Sequence, residues 1–409
     1  MSLIHASRSK PRIFPGKGDV APAEIDRAQS IDPSTSLNRE KVEEIGREAV
    51  VGYIKKNPST TYGLTQLEYG NMEFFKKLTN QATTVKTITL SSFKTAYFDL
   101  AAYLTDDDDT FKATVWYPEL RVAGFSLEIG EPQAIVERSF DLVGENAVIW
   151  QGDNKYIHFQ REEIESGDTG EITLTATATL DPNDSVYMIK IRRVRGTTTT
   201  DLVKDTDFTE DDADTVSITT PVVGDVYKLY YTSSTAPADA DMWTANDSDA
   251  VAILADSVSI YLYIPASGKP SSSDYIYRLQ TASLNVSFER EDIREIGNKN
   301  IVARGITDKT VSVSLGRILE AATIEEVLAG QVADYGKLDV EQFTDEAVLL
   351  IKVYSDNTKT TFQYGFKATG LSPTDLSGGT GVNAYVGRDV TIEGEDLTIS
   401  ETEATIGTI

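Results

Sequence analysis

The chain has 409 residues, 40% of them hydrophobic and 25% charged, which is enough for two or three packed domains and argues against global disorder. Its formal net charge of −26 repels nucleic-acid backbones, and the absence of cysteine removes disulfides and thiolate metal sites. No apolar run reaches the length of a membrane-crossing helix, so no membrane partner is expected, and the polar, basic stretch from Met1 to Gly18 lacks the apolar core of a secretory signal.

Threonine, valine, isoleucine and tyrosine recur in alternating runs, which predicts a mainly β fold built of α+β units. Residues 1–36 read as an N-terminal arm. Residues 37–181 read as a first domain. It holds strand-like runs at Thr60–Leu64, Lys86–Leu90, Phe111–Trp116 and Ser139–Trp150. A short helix is predicted over Asn71–Asn80, where Met72, Phe75 and Leu78 recur at helical spacing. From Glu171 to Leu180 apolar residues alternate strictly with threonine, the pattern of a half-buried strand. Residues 182–236 read as an inserted small β-sandwich module, with strands at Val186–Val194, Val216–Thr219 and Val226–Tyr231. Residues 237–250, rich in Ala, Asp and Ser, read as a linker. Residues 251–409 form a second domain. Its strands are predicted at Ser257–Ile264, Asp274–Phe288, Thr310–Leu315, Ala347–Tyr354, Thr361–Ala368 and Asp389–Ile399, with a helix over Thr323–Gly330.

The two domains read as copies of one unit. Arg39 to Gly46 resembles Arg290 to Gly297 at an offset of 297 − 46 = 251. From Arg39 to Tyr53, 6 of 15 positions are identical at that offset, where average composition gives roughly one. The offset persists at Thr110-Phe111 against Thr361-Phe362, then slips by one: Ala134, Val136 and Arg138 match Ala384, Val386 and Arg388. A near-constant offset over so long a stretch points to internal duplication.

Signals for catalysis are weak. The two histidines, His5 and His158, lie in a tail-like stretch and a strand pattern, and no Gly-x-Ser-x-Gly elbow is present. Gly378-Gly379-Thr380-Gly381 lacks the Lys-Ser/Thr of a phosphate loop and reads as a turn. The acidic runs Asp106–Asp109 and Glu210–Asp212 lack the spacing of a calcium loop. No enzyme activity, metal or cofactor is expected.

Ala282-Ser283-Leu284-Asn285-Val286-Ser287-Phe288-Glu289-Arg290, then Ile293 to Gly297, then Val302-Ala303-Arg304, resembles the tail tube proteins of tailed viruses. The resemblance covers both halves, about 37–150 and 251–399. It implies two tandem tube-like β-sandwich or barrel domains, each with one short helix. The duplicated type of that family stacks as homotrimeric, pseudo-hexameric rings. The implied partners are further copies of the chain, other tail proteins, and DNA passing through the lumen without specific binding. Charges of alternating sign in the repeated segments, as in Glu40-Lys41 and Arg290-Glu291-Asp292, lead to an expectation of assembly contacts at Arg39, Glu40, Glu44, Ile45 and Gly46, and at Arg290, Glu291, Glu295, Ile296, Gly297 and Arg304. The first copy departs from the pattern before Leu37, where a Pro- and Asp-rich stretch implies an edge strand shortened or replaced by the N-terminal arm. The net acidity leads to a further expectation, a lumen wall that is predominantly negative. The competing reading is a β-sandwich adhesin or virion decoration protein that binds glycan or a host surface.

Overall fold

The computed structural model describes residues 9–15, 23–25, 27–42, 52–56, 58–105, 111–150, 158–167, 170–174, 188–196, 198–211, 215–233, 251–265, 276, 279–293, 303–318, 324–325, 328, 346–379 and 387–407. The fold is mainly β, with large antiparallel sheets and short helices.

The first copy contains β1 (Ser9–Pro15), β2 (Ala23–Glu24), β3 (Ala28–Ser36), β4 (Arg39–Val42), β5 (Gly52–Lys55), β6 (Ser59–Leu67), α1 (Glu73–Leu78), β7 (Thr87–Thr89), α2 (Ser92–Thr95), β8 (Phe98–Thr105), β9 (Phe111–Ile129), β10 (Glu137–Gly144) and β11 (Val148–Trp150). The central module contains β12 (His158–Glu165), β13 (Glu171–Thr173), β14 (Met188–Arg195), β15 (Thr198–Asp201), β16 (Phe208–Glu210), β17 (Thr215–Ile218) and β18 (Val226–Ser233). The second copy contains β19 (Val258–Tyr263), β20 (Leu279–Ile293), β21 (Ala303–Ile318), β22 (Ala347–Tyr354), β23 (Phe362–Gly379), β24 (Gly387–Gly394), β25 (Asp396–Ser400) and α3 (Glu403–Ile406).

The copies share strand order and register. The first runs β3-β6-β10-β9-β8-β1 and the second β20-β21-β24-β23-β22-β19. Ser36 pairs Ser59 and Ser287 pairs Thr310, where 287 − 36 = 251 and 310 − 59 = 251. Gly124 pairs Asp141 and Asp375 pairs Thr391, where 375 − 124 = 251 and 391 − 141 = 250. The bulge between Ala28 and Ser30 recurs between Leu279 and Thr281. Residues 324, 325 and 328 are helical where α1 has its counterpart.

Four strands of each copy join in one continuous sheet, β23-β24-β21-β20-β9-β10-β6-β3. Its strands alternate sharply: β6 reads Thr-Tyr-Gly-Leu-Thr-Gln, with Tyr62, Leu64 and Gln66 buried and the residues between them outward. The buried face packs on α1, where Phe74 and Phe75 meet Phe140 edge-on at 4.8 and 5.4 Å. β9 and β23 are long strands that pass from this sheet into two outer sheets, β1-β8-β9-β11 and β19-β22-β23-β25-β7. In the second outer sheet β22 reads Ala-Val-Leu-Leu-Ile-Lys-Val-Tyr and is buried throughout, as expected of a strand covered on both faces.

Two boundaries differ from the sequence reading. The stretch read as an arm supplies β1 and β3, so the first copy begins by residue 9. The edge strand is present and shorter than its counterpart: β3 has 9 residues against 15 in β20, lies in the stretch read as an arm, and contains Asp32 and Pro33. Among the described residues β3 has a neighbour on one side only, and such an edge strand is where proline is tolerated. The module likewise begins earlier than residue 182. β12 and β13 belong to its two sheets, β12-β18-β14-β15 and β13-β17-β16, which enclose a core of Ile172, Ile191, Phe208, Val216, Tyr227 and Leu229. It sits on the first copy through Lys228–Glu119 at 3.3 Å, Arg192–Glu145 at 3.4 Å and Trp116 against Tyr230 at 5.9 Å.

Candidate assembly surface

The seam between the copies is built in two layers. In the large sheet, β20 pairs with β9 from Ala282↔Ile129 to Ser287↔Gly124. The backbones come close at Gly124, where a Cβ would stand 2.8 Å from the Val286 carbonyl. Past the last pair, Phe288 stacks on Phe93 with ring centroids 5.6 Å apart. Arg290 closes the end: its Nε donates to the Val122 carbonyl at 2.6 Å and its NH2 to the Phe93 carbonyl at 2.9 Å. Burial, together with the cations Arg121 and Arg304, pushes Arg290 down to about 10. Arg304 is itself paired with Asp292.

In the outer layer, β7 of the first copy extends the second copy's sheet by pairing with β25. Lys76 bonds Glu401 at 2.7 Å beside it. Between the layers lies a buried polar network. Arg138, 1% exposed, and the Tyr364 hydroxyl both donate to Glu68 Oε2, at 3.3 and 2.5 Å. Burial alone would lower the Arg138 pKa, but Glu68, Tyr69 and Tyr364 hold it above the ordinary value. Burial and the Glu68 carboxylate push Tyr364 well above the usual phenol range. Glu68 and Arg138 belong to the first copy and Tyr364 to the second, so the network ties the two together.

Three rows on the outward face of the large sheet are polar and acidic, and the row beyond them, Thr61-Val143-Arg121, ends in a cation. One row runs Ser30-Thr65-Ser139-Ser126-Asn285-Ser312-Glu393 across both copies. A second runs Leu67-Glu137-Glu128-Ser283-Ser314-Thr391-Asp375, and a third Asp32-Gly63-Asp141-Gly124-Ser287-Thr310. Neither Lys nor Arg occurs in any of the three. Partial burial and the facing Glu137 raise the pKa of Glu128.

Among the described residues the large sheet ends in two strands without a further neighbour on that side, β3 and the C-terminal part of β23. β3 is the counterpart of β20, and β23 is the counterpart of β9. The hairpin β4/β5 extends from β3 and exposes Leu37, Tyr53 and Ile54, and the tip of β20 exposes Ile293.

The sequence-predicted contact residues fall into three groups. Arg39 and Glu40 are exposed on β4, with Glu40 paired to Lys56 at 2.5 Å. Arg290, Glu291 and Arg304 lie at the far end of the β20/β21 hairpin, and Arg290 turns inward against the first copy. Glu44, Ile45, Gly46, Glu295, Ile296 and Gly297 lie outside the described residues, as does the Asp106–Asp109 run. Sequence reasoning missed Gly124, Phe93, Phe288 and the Arg138 network. The 251-residue offset that aligns Phe288 with Leu37, both large and apolar, is the sequence signal that could flag Phe288.

No known protein family matches the chain, and no curated protein matches it. Among solved structures, one match is a chain of the cryo-EM structure of the anti-feeding prophage (AFP) baseplate, 6-fold symmetrised. It is 11% identical, covers 37% of this chain and 98% of that one, and superposes with a TM-score of 0.27. A likeness this loose carries no argument about what this chain does.

Proposed function

We propose that the chain is a structural protein of a viral tail that polymerises as stacked trimeric, pseudo-hexameric rings into a genome-conducting tube. One observation carries this reading. The copies are already joined edge to edge, β9 to β20, and the strands left open are the counterparts of that same pair. A chain that presents β23 at one edge and β3 at the other has head-to-tail complementarity, which closes a ring when the rotation fits. Closure also removes the open edges that would otherwise aggregate. Three chains of eight strands give about 24 strands, a backbone circle roughly 48 Å across at ~4.8 Å per strand and a tilt near 40°. Side chains narrow that to roughly 35–40 Å, room for duplex DNA. The acidic, serine- and threonine-rich face is the wall such a lumen needs, since a basic wall would hold phosphates and arrest transit. Its role is structural rather than catalytic, and its partners are copies of itself and other tail proteins.

The register of closure follows from the seam within the chain. Ser126 opposes Asn285; since 285 − 251 = 34 and 126 + 251 = 377, Ser34 of one chain should oppose Ser377 of the next. The chain has no native cysteine, so a Ser34→Cys, Ser377→Cys double variant reports this contact alone. Oxidation of the concentrated protein should yield covalent dimers and trimers, with rings or tubes in negative stain. Protein that stays monomeric and uncrosslinked at all concentrations would overturn the proposal. The adhesin reading finds support in the exposed Val222 and Val223 on the module, but it leaves the paired open edges without a purpose.

A further inference from the structure

We propose that Leu37 and Arg39 form an intermolecular lock that seats on β23 of a neighbouring copy of this chain and sets the register of closure. The proposal rests on the ring reading above and adds which residues close the seam.

The template lies within the chain. Phe288 and Arg290 finish the β20–β9 seam, and their counterparts one repeat earlier are Leu37 and Arg39, since 288 − 37 = 251 and 290 − 39 = 251. The backbone supports the same correspondence: Arg39 pairs Lys55 and Arg290 pairs Ile306, where 306 − 55 = 251. The two positions differ in burial. Phe288 is 3% exposed, whereas Leu37 is 58% exposed at the end of an open edge. Among the described residues, Arg39 has no side-chain partner and is exposed. A large apolar side chain and a guanidinium are thus held ready at the place where the matching pair is engaged elsewhere in the same molecule.

One acceptor of the landing site is also present on β23, while the counterpart of Phe93 lies outside the described residues. Arg290 takes the carbonyl of Val122, whose counterpart is Pro373, since 373 − 122 = 251. Pro373 opposes Ile392 as Val122 opposes Leu142, so the carbonyl stands at the same step of the ladder. A guanidinium forks across two acceptors, which an ammonium does not. The two cations that crowd Arg290, Arg121 and Arg304, correspond to Ser372 and Tyr53, since 372 − 121 = 251 and 304 − 53 = 251. Both replacements are neutral, although Lys55 stands opposite Arg39 where Arg290 faces Ile306. The backbone at this point is also jointed: β20 runs unbroken where β3 and β4 are separated at Leu37 and Asn38, and Asn38 has φ +45°.

The test uses the full chain, with assembly followed by sedimentation velocity over a concentration series and by negative stain. Arg39→Ala should raise the concentration needed for assembly about tenfold, as loss of a charge-assisted bond does, and Leu37→Asp should raise it further. Arg39→Lys should recover only part of the loss. The melting temperature of the dilute chain should be unchanged in all three, because both side chains are exposed there. In the Ser34→Cys, Ser377→Cys background, Leu37→Asp should abolish the cross-link. If the wild-type chain assembles and the variants assemble at the same concentration, the lock is refuted while the ring reading stands. If the wild-type chain never assembles, both fall.

Discussion

Phe288 is 3% exposed and Leu37, one repeat earlier, is 58% exposed, although their strands share pairing and register. The same contrast holds along the whole seam. β20 lies between β21 and β9, whereas β3 has β6 on one side and no described neighbour on the other. Because both surfaces come from one duplicated unit, the engaged version serves as a template for the open one. An exposed apolar side chain usually needs no explanation. Here its counterpart shows what it would cover.

The copies also differ in how they secure a buried arginine. In the first, Arg138 and Glu68 reach across to Tyr364 of the second. In the second, Arg317 pairs with Glu325 of its own copy at 2.5 Å, and both are buried. The first network thus contributes to holding the copies together. Removing its cation should have the largest effect on the isolated chain. Arg138→Ala strands the Glu68 carboxylate, and chemical denaturation should show a loss of about 3–5 kcal/mol. Tyr364→Phe keeps the ion pair and removes one bond to a charged group, which should cost about 1.5–3 kcal/mol. If Arg138→Ala unfolded at the wild-type midpoint, the network would not be what couples the copies.

A middle-sized effect separates the two seams. Gly124 meets the Val286 carbonyl too closely for a Cβ, so Gly124→Val should destabilise the chain by about 1–3 kcal/mol through overpacking. Its counterpart is Asp375, which already carries a side chain on an open edge. Asp375→Val should leave the melting temperature of the dilute chain unchanged. Equal losses at both sites would show that the edges are not equivalent.

The smallest effect concerns the polar face. Partial burial and Glu137 raise the Glu128 pKa in the folded chain, so protonation of Glu128 favours folding. The relative stability it contributes is full below the ordinary carboxylate pKa and is lost as pH rises through the folded value. Glu128→Gln should therefore stabilise the chain at neutral pH, by under about 1 kcal/mol given its exposure, and by less near pH 4. Equal stabilisation at both pH values would show that the charge is not responsible.

Much of the fold was legible in the sequence because duplication leaves a period and strands leave an alternation. Ala347–Tyr354 was read with the bounds the structure has, and the second-copy helix was placed around Ile324 and Leu328. Of the strand pattern over residues 171–180, Glu171–Thr173 is a strand whose membership the pattern does not reveal, and residues 175–180 lie outside the described residues. β13 packs in the module with β17, where Ile172 pairs Val216, 44 residues downstream (216 − 172 = 44). The stretch around Asp32 and Pro33 read as irregular because local propensity disfavours a strand there, yet β6 supplies a ladder that overrides it.

By itself, then, the sequence determined that the protein is a mainly β duplication with a period of about 251 residues, an acidic character and a module between the repeats. Those properties are written in side-chain identity and spacing. Only the tertiary structure decided that β9 meets β20, that residues 9–36 belong to the first copy, that Arg138 is buried between the halves, and that Leu37 and Arg39 stand at an open edge. The reason is physical: strand edges are joined by backbone N–H and C=O groups, which every residue but proline carries alike. Which edge finds which is settled by packing and chain path, and neither leaves a local signature in the sequence.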